Sequence, residues 1–188
     1  MRAVLDACVL YPPVLRDILL GAAARGLYQP RWSDRILEEW ARATVKLGPA
    51  AEAEARGQIA LARAAFAGAG LRAAPQIEAQ LLLPDPNDVH VLAVAIAGSC
   101  DAIVTFNAQD FPRHLLAEWK IDRRDPDGFL WELWSHHPAA MGEVIASVHA
   151  RAEAMAGGPV SLKALLKRAS LPRLAKAVLG AVAGDQAR

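Results

Sequence analysis

Apolar residues crowd the start of the chain without a helical period. Ala3, Val4 and Leu5 run into Asp6, so Arg2 to Cys8 reads as a buried strand carrying a single acid. Tyr11-Pro12-Pro13 breaks it, and Val14, Leu15, Ile18, Leu19 and Ala22 then share one face of a helix over residues 14–25 that stops at Gly26. Residues 27–31 suit a short strand. Ser33 is placed to cap a helix reaching about Leu47, and a further helix over residues 50–67 ends at Gly68-Ala69-Gly70. Asp85-Pro86-Asn87-Asp88 couples a capping acid to Pro at the first helical position, opening a helix from His90 to Gly98. Asp101 to Thr105 and Trp119 to Asp122 read as strands, and Asp125-Pro126 starts a helix containing Phe129, Leu130, Leu133 and Trp134. From Pro138 onward the pattern is helical, interrupted at Gly157-Gly158-Pro159 and resumed over residues 161–168 and 172–179. Strands alternating with helices predict an α/β fold with a mostly parallel sheet, whose ligands bind at the carboxyl ends of the strands.

Composition narrows this further. At 188 residues, with 54% hydrophobic and 22% charged, the chain can bury one core and is not disordered. Cys8 and Cys100 are too few for a disulfide framework or a zinc site, and they read as small core residues of a protein in a reducing cytoplasm. No uncharged stretch is long enough to cross a bilayer, so no membrane association is expected. The net charge of +1 conceals an acidic body and a basic tail: residues 1–138 hold 14 Lys/Arg against 17 Asp/Glu, and residues 139–188 hold 7 against 3. A metal site in the body and a polyanion or acidic partner near the tail fit that asymmetry, and an ordinary solvated helical surface fits it equally.

The acids fall where such a fold would gather them. Asp6 ends the opening apolar run, Glu38 and Glu39 lie on a helix, Asp85 and Asp88 open another, and Asn107 and Asp110 follow Ala102-Ile103-Val104-Thr105. Clustered carboxylates repel one another unless a cation neutralises them, and oxygen donors without thiolate or imidazole clusters suit Mg²⁺ or Mn²⁺. Each acid also has a plainer role: Asp6 or Asp85 as a helix cap, Asn107 and Asp110 as turn formers. Helical phase chooses between the paired glutamates, because Glu39 borders the buried side defined by Ile36 and Trp40 while Glu38 points away. His136 and His137 are adjacent and cannot chelate well, and phosphate-binding Gly-rich loops and Gly-x-Ser-x-Gly elbows are absent from the sequence.

With these residues in place, the chain resembles the PIN-domain ribonucleases, the family that includes VapC-type toxins of bacterial toxin–antitoxin modules. The similarity lies in Val4-Leu5-Asp6-Ala7-Cys8-Val9-Leu10, in Ser33 through Ile36-Leu37-Glu38-Glu39-Trp40, in Asp85-Pro86-Asn87-Asp88 through Ala93, and in Ile103-Val104-Thr105-Phe106-Asn107 with Asp110-Phe111-Pro112. It covers roughly residues 1–135 and implies a PIN-like α/β/α nuclease domain over 1–137 with a helical C-terminal extension over 138–188. The resemblance makes Asp6, Glu39, Asp88 and Asp110 the catalytic, metal-holding set, supported by Asn107, Asp85 and Thr105. It implies Mg²⁺- or Mn²⁺-dependent hydrolysis of RNA by an activated water, leaving a 5′-phosphate. An RNA substrate, a cognate antitoxin and a second copy of the chain are the partners it suggests. Arg16, Arg42, Lys46 and the tail lysines are candidates for holding RNA. Two positions depart from the family pattern: Cys8 stands where Asn, Ser or Thr is usual, and Asn107 where Asp is frequent. The alternatives are a PIN-like binding module without catalysis, and a DNA flap nuclease or phosphatase.

Overall fold

The computed structural model describes residues 1–186, so the last two residues of the expected extension, 187–188, lie outside the described residues. Along the chain run β1 (Arg2–Leu5), α1 (Ala7–Leu10), α2 (Pro13–Ala24), β2 (Gln29–Ser33), α3 (Asp34–Thr44) and α4 (Pro49–Ala65). There follow β3 (Gly70–Leu71), α5 (Pro75–Glu78), α6 (Val89–Ala97), β4 (Ala102–Val104), α7 (Arg113–Ala117) and β5 (Asp122–Arg124). The chain closes with α8 (Pro126–His136), α9 (Pro138–Ala156), α10 (Leu162–Arg168) and α11 (Pro172–Gln186). Residues 45–47 and 86–88 form single 3-10 turns.

These elements fall into two compact units, one of Met1–Tyr11 with Tyr28–Asp125 and the other of Pro12–Leu27 with the chain from Pro126 on. In this grouping α2 and α8 belong with the C-terminal helices. In that helical unit α2 lies against α9 so closely that a side chain at Gly21 would stand 2.7 Å from Val144 Cγ1. Arg151 reaches Asp17 at 3.0 Å, and Arg25 pairs with Glu143. Buried Asp127 on α8 accepts hydrogen bonds from the Arg173 and Leu174 amides at 2.9 and 3.0 Å, satisfying two N–H groups that the first turn of α11 cannot pair internally. Asp127→Ala should cost about 1–2 kcal/mol in chemical denaturation.

The first unit is built on a five-stranded sheet of order β3-β2-β1-β4-β5, parallel throughout. Its central strands are buried because they lack charge beyond Arg2: Ala3, Val4, Leu5 and Ala102, Ile103, Val104 are inaccessible or nearly so. Ser33 caps α3 by accepting from the Ile36 amide at 3.3 Å, and Ile36, Leu37 and Trp40 form the face that α3 buries. Trp32 meets Phe66 edge to face with centroids 6.0 Å apart.

Several boundaries differ from the sequence expectation, for local reasons. The first strand stops at Leu5, since Ala7–Leu10 turn into helix. β5 lies at Asp122–Arg124 rather than Trp119–Asp122, and its charged sequence suits an edge strand, which polar side chains protect from further pairing. The two-residue β3 and the short α7 are too brief to leave a period.

The chain order of the sheet positions the site. From β1 the chain moves outward through β2 to β3, then returns to β4 on the other side of β1. The strand order reverses between β1 and β4, and such a reversal opens a crevice at the carboxyl ends of the two strands.

Candidate metal centre

Register brings the first two site residues together. Leu5 pairs with Val104, so the next residues, Asp6 and Thr105, emerge side by side at the crevice. Thr105 Oγ1 donates to Asp6 Oδ2 at 2.6 Å and accepts from the Asn107 amide at 2.9 Å. Cys8 Sγ donates to the same Asp6 oxygen at 3.1 Å and receives the Phe106 amide at 3.4 Å. Burial, then the Asp6 charge, push the Cys8 thiol up to about 12, so it stays protonated and acts as a hydrogen-bond donor rather than a nucleophile. The Cys8 departure therefore still supplies a proton to Asp6.

The next acids come from the entry to α6. One Asp85 oxygen caps the 3-10 turn by accepting from the Asn87 amide at 2.8 Å, which leaves Asp88 one turn on. Asn107 Nδ2 donates to Asp88 Oδ2 at 2.8 Å, tying the loop after β4 to this turn. Carboxylate oxygens of Asp85, Asp88 and Asp110 all lie within 4.8 Å of one another. Burial pushes Asp88 up to about 6, with further contributions from the charges of Asp6, Asp85, Asp110 and Glu39. Asp88 is thus the residue at which the negative charge of all the predicted acids converges.

Glu39 reaches the same region from α3. Its Oε1 accepts from Arg35 Nε at 3.2 Å, and His90 Nε2 lies 2.9 Å away, off the axis of an aligned hydrogen bond, so that contact is one of charge when the imidazole is protonated. Burial opposes ionisation of Glu39, but His90 and Arg35 outweigh it and hold the carboxyl below its ordinary value. Arg35 also donates to the Asn87 carbonyl at 3.2 Å, joining α3 to the turn that carries Asp88. Glu38 points elsewhere: it pairs with Arg42 at 3.1 Å and Arg56 at 3.0 Å on the exposed side.

The donor set fits a divalent cation. Asp85, Asp88 and Asp110 offer only hard oxygen ligands, and Asp88 is pushed up first by its burial and then by the neighbouring carboxylates, a cost that a bound cation would relieve. The geometric cluster includes Asp85, which sequence reading gave only a supporting part, while Asp6 and Glu39 act on Asp88 through charge.

A PIN-domain family model matches residues 2–109, more than half of the chain and every acid above except Asp110. The chain belongs to the PIN-domain family. No curated protein and no solved structure matches it. Its five-stranded parallel sheet with flanking helices is a PIN-like α/β/α fold, and PIN domains are as a class nucleases.

Other residues of this PIN domain were not legible as part of the site. His90 sits on α6, two residues beyond Asp88, 2% exposed and beside Glu39. A histidine within a run as apolar as Val89 to Ala97 was the available signal, since a buried imidazole needs a polar neighbour. Phe106, 43% exposed, follows Thr105 just beyond the carboxyl end of β4. The candidate RNA contacts are placed unequally. Arg16 is buried, with its Nε 3.7 Å from Asp17, and is withdrawn from any polyanion in solvent. Arg42 is largely exposed while paired to Glu38, and Lys46 lies 5.8 Å from the Tyr11 ring centroid. Among the described residues no helix is long and apolar enough to cross a membrane.

Proposed function

We propose that this PIN domain is a Mg²⁺- or Mn²⁺-dependent endoribonuclease and the toxin of a type II toxin–antitoxin pair, acting in the cytoplasm on RNA and restrained by a cognate antitoxin. A homodimer is part of the same proposal. The observation that carries the nuclease reading is the convergence of Asp6, Glu39, Asp85 and Asp110 on Asp88 at the strand-order reversal between β1 and β4.

Asp6, Glu39, Asp88 and Asp110 would hold the cation, with Asp85 beside them. The chemistry a divalent cation supplies there is neutralisation of phosphate charge and a lowered pKa for water. The chain's own part is to aim the donors. Thr105 and Cys8 orient Asp6, Asn107 orients Asp88, and Arg35 with His90 maintains Glu39 as a carboxylate. Hydrolysis consumes one water in an in-line attack at phosphorus, breaks the bond to the ribose 3′-oxygen, and leaves a 5′-phosphate and a 3′-hydroxyl. The exposed ring of Phe106 offers a surface on which a base beside the scissile bond can stack.

The test is cleavage of a synthetic RNA and a DNA of the same sequence, with Mn²⁺, with Mg²⁺ and with chelator. Metal-dependent cleavage of RNA with 5′-phosphate ends is expected. Metal-independent products ending in a 2′,3′-cyclic phosphate would overturn the mechanism, and preferential cleavage of DNA would overturn the substrate. The toxin reading expects growth arrest on expression that co-expression of a neighbouring small gene relieves. A second reading, a PIN-like binding module without catalysis, draws on Asn107, an amide rather than a carboxylate on Asp88. RNA binding without cleavage in every metal would favour it.

Support of Asp6 by Thr105 gives a graded prediction. Thr105→Val keeps the shape and removes the hydroxyl donor, so the Mn²⁺ concentration needed for half the thermal stabilisation should rise about 10–100-fold. An unchanged midpoint would separate Asp6 from the cation.

A further inference from the structure

The helical unit carries an exposed aromatic ring that its own packing does not use. α8 buries Phe129, Leu130 and Leu133, while Trp131 turns outward and remains 44% exposed. An indole so placed presents an aromatic face to solvent, and its significance depends on what surrounds it. Trp131 borders a concavity of about 510 Å³ whose other walls are Arg173, Lys176, Ala177 and Gly180 of α11.

Those four positions follow the spacing i, i+3, i+4, i+7 and so form a single stripe along α11. Leu174, Ala175 and Val178 take the buried side of the same helix. The stripe pairs two cations with two small residues. A side chain at Gly180 would meet nothing within 4 Å, so the space beside the indole is open. None of the lining residues is acidic, and among the described residues neither Arg173 nor Lys176 forms an ion pair. An aromatic face flanked by cations that form no ion pair is the arrangement by which proteins hold single strands, the ring stacking a base and the cations meeting the phosphates. An acidic peptide would use the cations but has no need of a flat ring over open space.

We propose that the concavity of Trp131, Arg173 and Lys176 binds a single-stranded stretch of RNA, one base stacked on the indole and neighbouring phosphates held by the two cations. The proposal rests on the nucleic-acid reading of the PIN domain and adds a second contact for its substrate on the helical unit.

Binding of a fluorescent oligouridylate to the full chain, in chelator to prevent cleavage, tests it. Trp131→Ala should weaken binding about tenfold, while Trp131→Phe should keep most of the affinity. Arg173→Gln with Lys176→Gln should reduce the slope of log affinity against log salt by about 1.4, the release expected for two phosphates of a single strand. A base-free strand of equal charge should bind the intact chain and Trp131→Ala alike. Unchanged affinity and slope in the folded variants, with RNA cleavage by the intact chain retained, would overturn this contact and leave the nuclease reading standing. Equal binding of a polyglutamate peptide that displaces the oligonucleotide would also overturn it, in favour of an acidic protein partner. An intact chain that neither binds nor cleaves RNA would remove both. Should Trp131→Ala fail to fold, the exposed charge pair and Trp131→Leu, which keeps an apolar side chain but no ring and should weaken binding about as much, decide the outcome.

Discussion

Asp88→Asn should abolish RNA cleavage, by at least about 10³-fold, and should also remove most of the rise in melting temperature that Mn²⁺ produces in the parent protein. Burial, and then the charges of Asp6, Asp85, Asp110 and Glu39 that meet at Asp88, push its carboxyl up to about 6 from an ordinary value of 3.8. A folded-state pKa above the unfolded one means that the folded chain holds this proton more tightly. The stability so gained is full below about pH 3.8 and is lost as pH rises through 6. Above that the metal-free protein carries the repulsion. The neutral amide should therefore stabilise the metal-free chain at pH 7.5, by about 1–2 kcal/mol after allowing for solvent screening, and the gain should vanish near pH 4. Asn107 can still donate to the new amide oxygen, so the loop after β4 keeps its anchor. Metal-dependent activity in the parent should fall as pH drops through about 6, because the proton and the cation compete for the same carboxylate. Undiminished cleavage by Asp88→Asn, or an unchanged metal-induced shift, would place the cation elsewhere.

Glu39→Gln should cut cleavage by about 10²-fold or more, whereas the neighbouring Glu38→Gln should leave it nearly intact. The two side chains are adjacent in sequence and opposite in environment. Glu39 lies against His90 and Arg35, and its charge reaches Asp88; Glu38 is held by Arg42 and Arg56 on the solvent side. Glu38→Gln weakens an exposed ion-pair cluster, where screening leaves little to lose. Rates measured for both variants at saturating Mn²⁺ decide the matter, and equal losses would show that helical phase does not select the acid.

Local patterns in the sequence already determined much of this protein. The unbroken apolar runs before Asp6 and Thr105 specify buried parallel strands, Ser33 caps the helix whose start it marks, and Asp85 caps the 3-10 turn that leads into α6. Gly157 adopts a left-handed conformation and ends α9 where the sequence breaks. Caps, breakers and periodicity are legible because each depends on residues within a turn or two of one another. The phase that separates Glu39 from Glu38 is of the same kind.

What tertiary structure alone decided is which ends meet. The return of the chain from β3 to β4 beside β1, and the pairing of Leu5 with Val104, set Asp6 against Thr105 across 99 positions of sequence. The gathering of Asp85, Asp88 and Asp110, the donation by Cys8 to Asp6, and the burial of His90 beside Glu39 depend on the same crossovers. So does the allegiance of α2 to the helices that follow Pro126. An apolar period records that a face is buried but not against what. Strand order, register and the shared potential of the carboxylates arise only when segments distant in the chain are packed together.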